Sequence, residues 1–335
     1  MDKVTSNSLL SICIPTYNRG EQLETIVKLM LPVCEKNAIG IYISDNASTD
    51  NTESIVKKLC EKSDLIHYHR HKENIGPDDN FEYVLKSADT EYRWLMSDTC
   101  YFDDIDNLIE EISNSSYDVY VLNGLGIRVK NLPKSKTTYT NSVDAMKEIG
   151  WHLSWISCMI YRKSVVEEMD FNRYKNSGFN QTALVFDTTA GRECLIRFNP
   201  NIKVRSLQLK KNDSGWEWHI FEVFCKRWYL FVMSLPLYYP FEAKEKMYKE
   251  GYGKSASFRI LTQMKRRRDG KWGLKDYIKY YPFIRLVANH KFITFLLAIT
   301  PRFIFQVESA LFHLIKPIAK PFWYIYKKKY ISKYY

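Results

Sequence analysis

Leu9-Leu10-Ser11-Ile12-Cys13-Ile14-Pro15-Thr16-Tyr17-Asn18-Arg19 is the stretch that decides how this chain is read. Its first half is a short apolar run with β-branched residues, and Pro15 ends it. That pattern predicts a buried strand stopping at a polar loop. Glu21 to Met30 follows with Leu23, Ile26, Val27 and Met30 at helical spacing. In an open α/β sheet, a polar loop at the carboxyl end of a strand is where ligands bind.

Three further segments repeat the design. Ile39-Gly40-Ile41-Tyr42-Ile43 runs into Ser44-Asp45-Asn46-Ala47-Ser48-Thr49-Asp50-Asn51-Thr52. Leu65-Ile66-His67-Tyr68 runs into Asn74-Ile75-Gly76-Pro77-Asp78-Asp79-Asn80, and Tyr92-Arg93-Trp94-Leu95-Met96 into Ser97-Asp98-Thr99. Four strands, each ending in a loop with Asp or Asn and separated by helical stretches, predict a mostly parallel sheet with its loops along one edge.

These loops resemble the family 2 glycosyltransferases of the GT-A fold. The resemblance rests on Ile14-Pro15-Thr16-Tyr17-Asn18-Arg19, Ser44-Asp45-Asn46-Ala47-Ser48-Thr49-Asp50, Asn74-x-Gly76-x-x-x-Asn80 and Trp94-Leu95-Met96-Ser97-Asp98, in that order. It is close over the first 105 or so residues and loose over the next hundred. It implies a Rossmann-like α/β sheet flanked by helices, a sugar–nucleotide donor, a hydroxyl acceptor and inversion at the transferred carbon.

Composition sets the frame. The 335 residues are 45% hydrophobic and 26% charged, which describes a globular protein with a sizeable core. The seven cysteines, at 13, 34, 60, 100, 158, 194 and 225, form no Cys-x-x-Cys pair and are odd in number. That argues against a disulfide framework or structural zinc and for reduced thiols in the cytoplasm. The polar Met1–Ser8 leads into the first strand without a secretory pattern. Net charge is +11, yet Lys265–Tyr335 holds 16 Lys and Arg against 3 Asp and Glu, so the rest is near neutral. No internal repeat or low-complexity segment stands out.

Three parts follow from this pattern: residues 1–210 as the GT-A domain, 211–264 as a helical extension packed on it, and 265–335 as basic amphipathic helices. Along the chain, 117–122 reads as a strand and Lys130–Thr140 as a polar loop. Trp151–Tyr161 reads as a strand returning to the sheet, and Trp216 opens a long aromatic helix toward Leu235. In the tail, Phe292–Ile299 is too short to span a bilayer. Apolar helical faces with Trp and Tyr beside Lys327-Lys328-Lys329 describe helices lying in a membrane interface. The partner expected for residues 281–335 is therefore an anionic membrane surface on the cytoplasmic side, or a second copy of the chain. Nucleic acid is not expected, because the basic residues belong to apolar helices and no nucleic-acid motif is present.

The resemblance assigns Pro15, Thr16, Tyr17, Asn18, Arg19, Asp45, Asn46, Asn74, Gly76, Asn80 and Asp98 to the donor. Asp45 either accepts an N–H from a uracil or thymine ring or caps its own turn. Pro15 and Thr16 line the same slot through backbone groups, and Arg19 faces the diphosphate or sits on the first helix. Asn80 caps a helix or bonds the nucleotide. Thr52 reads as an N-cap, and Asp78 and Asp79 as solvated acids at a helix start.

At Ser97-Asp98-Thr99-Cys100 the family carries several aspartates that hold a divalent cation. Here only Asp98 remains, and a neutral thiol is a poor ligand for Mg²⁺ or Mn²⁺. Asp98 alone, help from Asp103 or Asp104, His219 over the diphosphate, or cations such as Arg19 or Arg192 in place of a metal are the open alternatives. For the general base, Asp187 in Val185-Phe186-Asp187-Thr188-Thr189 is the best-placed carboxylate. Another alignment puts Asn180 and Gln181 at that position, and neither can act as a base. The rival from another class is a non-catalytic relative that still binds a nucleotide sugar but has a degenerate metal site. A nucleotidyltransferase is disfavoured, since the first loop lacks a Gly-rich, Arg-containing triphosphate cradle.

Overall fold

The computed structural model describes residues 9–124, 132–207, 219–254, 258–287 and 291–307. Strand β1 (Leu10–Thr16) is buried along its whole length and is central. It pairs in parallel with β2 (Gly40–Asp45) on one side and β4 (Tyr92–Leu95) on the other, and β2 pairs in parallel with β3 (Ile66–Arg70). Between them run α1 (Gly20–Lys36), α2 (Thr52–Cys60) and α3 (Pro77–Ser87). The four strands and their helices lie where the hydrophobic periodicity puts them.

Beyond β4 the sheet becomes mixed. In chain order come β5 (Cys100–Tyr101), α4 (Asp106–Ser113), β6 (Val119–Gly124), β7 (Thr137–Tyr139), α5 (Ser142–Ile149), β8 (Met159–Arg162), α6 (Lys163–Glu168), α7 (Asn180–Thr188) and β9 (Ile196–Ser206). The sheet order is β3-β2-β1-β4-β8-β6-β9-β5, with β7 also on β9. β8 is antiparallel to both β4 and β6, and β6 is parallel to β9. The parallel half thus carries the expected loops, and the second half closes the sheet with reversed strands.

Alternation along the strands divides the core in two. Leu10, Ile12 and Ile14 face one apolar cluster with Trp94, Met96 and α1 residues Leu23, Ile26, Val27 and Met30. Cys13 and Leu95 face the other, with Val119, Val121, Met159, Tyr161 and α7. The second cluster continues without a break into α8 (Trp228–Ser234), α9 (Phe241–Lys254), α10 (Ile260–Arg268), α11 (Leu274–Val287) and α12 (Lys291–Ile299) through Trp228, Met247, Ile260, Ile284 and Leu297.

The segment before β8 departs from its sequence reading. Residues 150–158 form short 3₁₀ turns, and only Met159–Arg162 is strand. The reason lies in where the backbone groups go. The Ser157 carbonyl accepts from Trp94 Nε1 at 3.0 Å, and the Leu153 carbonyl from Thr182 Oγ1 at 2.8 Å. Side chains take the bonds that a ladder needs. The Lys130–Thr140 loop contains β7, and residues 222–227 make π-helical turns ahead of α8. Trp216 and Trp218 lie outside the described residues. Thr52 is the first residue of α2 rather than its cap, and Asp50 accepts from its backbone N at 3.0 Å. All seven cysteines are unpaired.

Candidate active site

Parallel register brings the loops together. Thr16 stands beside Asp45 across β1–β2, and Met96 N donates to Cys13 O at 2.9 Å across β1–β4. The chain leaving β4 therefore passes the end of β1. There Thr16 Oγ1 donates to Asp98 Oδ2 at 3.1 Å, and Arg19 Nε lies 3.8 Å from the same oxygen. Ser97 supports the turn: its N donates to Ser157 Oγ at 3.0 Å, and its Oγ lies 3.0 Å from Thr99 Oγ1. Burial pushes the Asp98 carboxyl up to about 6, against the lowering effect of Arg19 and the Thr16 hydroxyl. Thr16 reaches Asp98 through its side chain, and its carbonyl accepts from Asn46 N at 3.0 Å.

The second loop is a network of clasps. Asn18 adopts φ +52°, its N donates to Ser48 Oγ at 2.9 Å, and its Oδ1 accepts from Thr49 N at 2.7 Å. Asp45 is fully buried. Its Oδ1 accepts from Ser48 N at 2.8 Å and its Oδ2 from the Tyr68 hydroxyl at 2.8 Å, with Arg70 Nε 3.7 Å away. Asp45 does cap its turn, and it also holds two β3 side chains that the sequence reading left out. Their signal was present: Tyr68 and Arg70 are two apart, hence on one face of β3, and pair in register with Ile43 and Asp45.

Asn46 and Asn80 use both ends of their amides within the protein. Asn46 Nδ2 donates to Gly76 O at 3.1 Å, and its Oδ1 accepts from Ile75 N at 2.8 Å. Asn80 Nδ2 donates to Ser44 O at 3.1 Å, and its Oδ1 accepts from Ser44 Oγ at 2.6 Å. These two bond pairs hold the loops around Ser44 and Gly76 in place. Asn74 is exposed and turns back on Gly76 N at 2.9 Å. Gly76 itself sits at φ +87°, where a side chain is strained. Gly20 is needed for another reason: a Cβ there would meet Asn51 Oδ1 at 2.7 Å, so α1 and α2 start almost in contact. Pro15 is buried in the β1 ladder, and Tyr17 is exposed.

Asp78 is not a solvated acid. It is 4% exposed, its Oδ2 accepts from Gly178 N at 3.1 Å, and burial raises its pKa. Asp79 pairs with Lys175 at 2.6 Å.

The other acids and cations considered from sequence are engaged elsewhere. Asp103 pairs with Arg205, and Asp104 accepts from Asp106 N at the start of α4. Arg192 lies 3.5 Å from Glu168 and bonds the Thr188 carbonyl. Asp187 occupies the last turn of α7, where Arg173 Nη1 at 2.9 Å and the Tyr174 hydroxyl at 2.7 Å hold it. The opposite end of α7, roughly 10 Å away by helix rise, is the one that touches the 154–157 turn behind Ser97. Asp187 is thus at the end of its helix away from the Ser97 turn, and Asn180 and Gln181 stand at the near end.

A divalent cation needs several hard oxygen ligands. At Asp98 the chain offers one carboxylate, already shared by Thr16 and Arg19, two hydroxyls, and the thiol of Cys100, which is buried in the β5–β9 pairing. His219 is exposed, and among the described residues no group of three His, Cys, Asp or Glu gathers anywhere to hold a metal. The residues do not fit a metal held by the chain itself.

A parallel half-sheet with a buried carboxylate and an arginine at its loop edge, closed by a mixed second half, defines the GT-A class of α/β fold. Solved structures share it. TarS 1–349 of S. aureus in complex with UDP-GlcNAc superimposes with a TM-score of 0.55 at 18% identity, covering 85% of this chain and 83% of that one. A mannosyltransferase from Pyrobaculum calidifontis in complex with GDP-Man and Mn²⁺ gives 0.55 at 12% identity, covering 93% and 88%. Residues 11–170 match the family model described as Glycosyl transferase family 2. The chain is also 28% identical over 212 residues to abequosyltransferase RfbV of Salmonella typhimurium. That match spans 57% of this chain and 64%, a little under two thirds, of the relative's length.

Proposed function

We propose that the chain transfers a sugar from a nucleoside-diphosphate donor, UDP first among the candidates, to a hydroxyl of a saccharide or lipid-linked saccharide, with inversion. The cluster Thr16–Asp98–Arg19 carries this reading. It puts an acceptor oxygen for a ribose hydroxyl and a guanidinium for a leaving diphosphate within 4 Å of each other, at the sheet edge where such folds bind nucleotides. Arg19 would offset the charge that develops on the diphosphate. Asp45, through the Tyr68 and Arg70 it holds, would border the base slot. Bacterial surface-polysaccharide synthesis is the setting that the abequosyltransferase relative suggests.

The same reading places the protein on the inner face of the cell membrane. Among the described residues no helix is long and apolar enough to cross a bilayer. Ile278, Phe292 and Phe303 are more than half exposed, beside a chain end rich in lysine. Residues 308–335, including Lys327-Lys328-Lys329, lie outside the described residues.

The test is nucleotide binding followed by turnover. UDP, dTDP, GDP and CDP are titrated with and without Mn²⁺, and the matching nucleotide sugars are then assayed for release of the diphosphate. Binding with turnover supports the transferase, and binding without turnover under any acceptor supports the non-catalytic relative. Turnover abolished by EDTA and restored by Mn²⁺ would overturn the reading that Arg19 stands in for a metal.

A further inference from the structure

Helices α11 and α12 lie against each other and leave an open groove of about 530 Å³ between them. Small-molecule sites run from roughly 300 to 1,000 Å³, so the groove is of ligand size. Tyr277, Ile278 and Tyr281 line it from α11, and Lys291, Phe292 and Phe295 from α12. Tyr277 is the buried member of the six, with its ring centroid 5.6 Å from that of Tyr281 and 5.7 Å from that of Phe295. Ile278 and Phe292 stand more than half exposed on either side. Lys291, the first residue of α12, is exposed and is the charged residue of the lining.

Aromatic and aliphatic walls offer water few hydrogen bonds, and bare apolar surface of this extent marks a place that something apolar covers. The surface continues past the groove, where Leu296, Ile299, Phe303 and Ile304 are exposed. A second copy of the chain would cover it, but charge opposes that. Residues 274–307 hold Lys275, Lys279, Arg285, Lys291 and Arg302 against Asp276 alone, so two copies would set like charges face to face. A molecule with a hydrocarbon chain and an anionic head suits both the groove and its charge.

We infer that the α11–α12 groove holds one hydrocarbon chain of an anionic membrane lipid, with the Lys291 ammonium pairing its phosphate. This rests on the membrane reading above and narrows it from adsorption on a charged surface to a one-to-one lipid site. Adsorption of an amphipathic face needs a bilayer. A site of this kind binds a single dispersed molecule.

The experiment titrates decyl phosphate, kept below its micelle concentration, into the full chain by calorimetry. Decyl maltoside and inorganic phosphate serve as the neutral-headed and the chainless comparisons. Decyl phosphate is expected to saturate at one molecule per chain, and inorganic phosphate to give no heat. The maltoside should bind about fivefold more weakly, and Lys291→Ala should weaken decyl phosphate by about the same factor. Ile278→Trp, which fills the groove from an exposed position, should abolish saturation. Unchanged urea midpoints show that the variants fold, and Phe292→Trp, filling from the other helix, replaces Ile278→Trp if its midpoint falls. Uptake without saturation, equal affinity for the maltoside, or full affinity in either variant overturns the groove. In that event, phosphatidylglycerol vesicles that still sediment the chain leave the membrane reading standing, and vesicles that do not sediment it overturn both. A dimer in sedimentation velocity that Ile278→Trp dissociates would give the groove to a second copy and overturn the lipid.

Discussion

Thr16 Oγ1 donates a hydrogen bond to Asp98 Oδ2 across 82 residues of sequence, at 3.1 Å. The bond fastens the loop after β1 to the loop after β4, and it does so at the oxygen that Arg19 also approaches. Thr16→Val keeps the shape and removes the donor. A hydrogen bond to a charged group is worth about 2 kcal/mol, so the variant is expected to lose that much stability at neutral pH and more than tenfold in nucleotide affinity. Urea unfolding and calorimetry check both; an unchanged affinity would detach Asp98 from the donor site.

Asp98→Asn separates function from stability. The buried carboxylate carries a desolvation cost that an amide avoids. The expected outcome is a higher melting temperature at pH 7 together with lost turnover, the trade found where a site is strained for activity. A variant that melts lower and still turns over contradicts the assignment.

Two buried groups give the stability opposite dependence on pH. The Asp98 carboxyl is raised from 3.8 to about 6, so the folded chain keeps a proton that the unfolded chain has released. That contribution is present at low pH and is lost as pH rises from about 4 to about 6. Burial lowers His152 from 6.5 to about 4, with Nε2 2.7 Å from the Leu122 carbonyl. Its contribution is present above 6.5 and is lost as pH falls toward about 4. The two contributions run in opposite directions over overlapping pH ranges and offset each other. Urea titrations between about pH 4 and 6.5 should show a shallow profile for the wild type. His152→Gln should gain stability on acidification, and Asp98→Asn should lose it. Parallel profiles in all three proteins would contradict this balance.

Asn80 holds the end of β2 by two bonds to Ser44. Asn80→Ala leaves a buried carbonyl without its donor, at a cost of about 2 kcal/mol. Nucleotide affinity should fall with it, because the Ser44–Asn46 turn loses its backing. Intact affinity in a destabilised variant would make the clasp purely structural.

The exposed apolar side chains of the tail carry the membrane proposal. Phe292→Ser and Phe303→Ser alter side chains that are 72% and 62% exposed, so stability should change by no more than about 0.5 kcal/mol. Sedimentation with anionic vesicles should fall in the double variant, and neutral vesicles should bind neither protein. Equal sedimentation of both proteins would remove these residues from the interface.

Much of this was legible because it is local. The strand Leu10–Thr16, helix α1 and the turns at Asp45 and Gly76 follow from apolar period, Pro15 and turn chemistry within a dozen residues. The second half was less so. Residues 150–158 are as apolar as a strand, but Trp94, Thr182 and Gln181 claim their carbonyls from elsewhere in the chain. The surroundings of Asp78 and Asp187 were not legible, for the same reason. Burial against Gly178 and pairing with Arg173 and Tyr174 are contacts between distant segments, and a loop sequence does not announce them.

The sequence alone determined the order of elements and the loop edge of the sheet, since side-chain period and turn residues act over short range. Tertiary structure decided which polar atoms stay unsatisfied. Asn46 and Asn80 became clasps because register set Ser44, Ile75 and Gly76 within their reach. Asn180, Gln181 and Asp78 kept buried oxygens without a partner where α3 meets the start of α7. A hydrogen bond is specified by distance and direction in space, and the chain fixes those only once its parallel and reversed strands have been laid side by side.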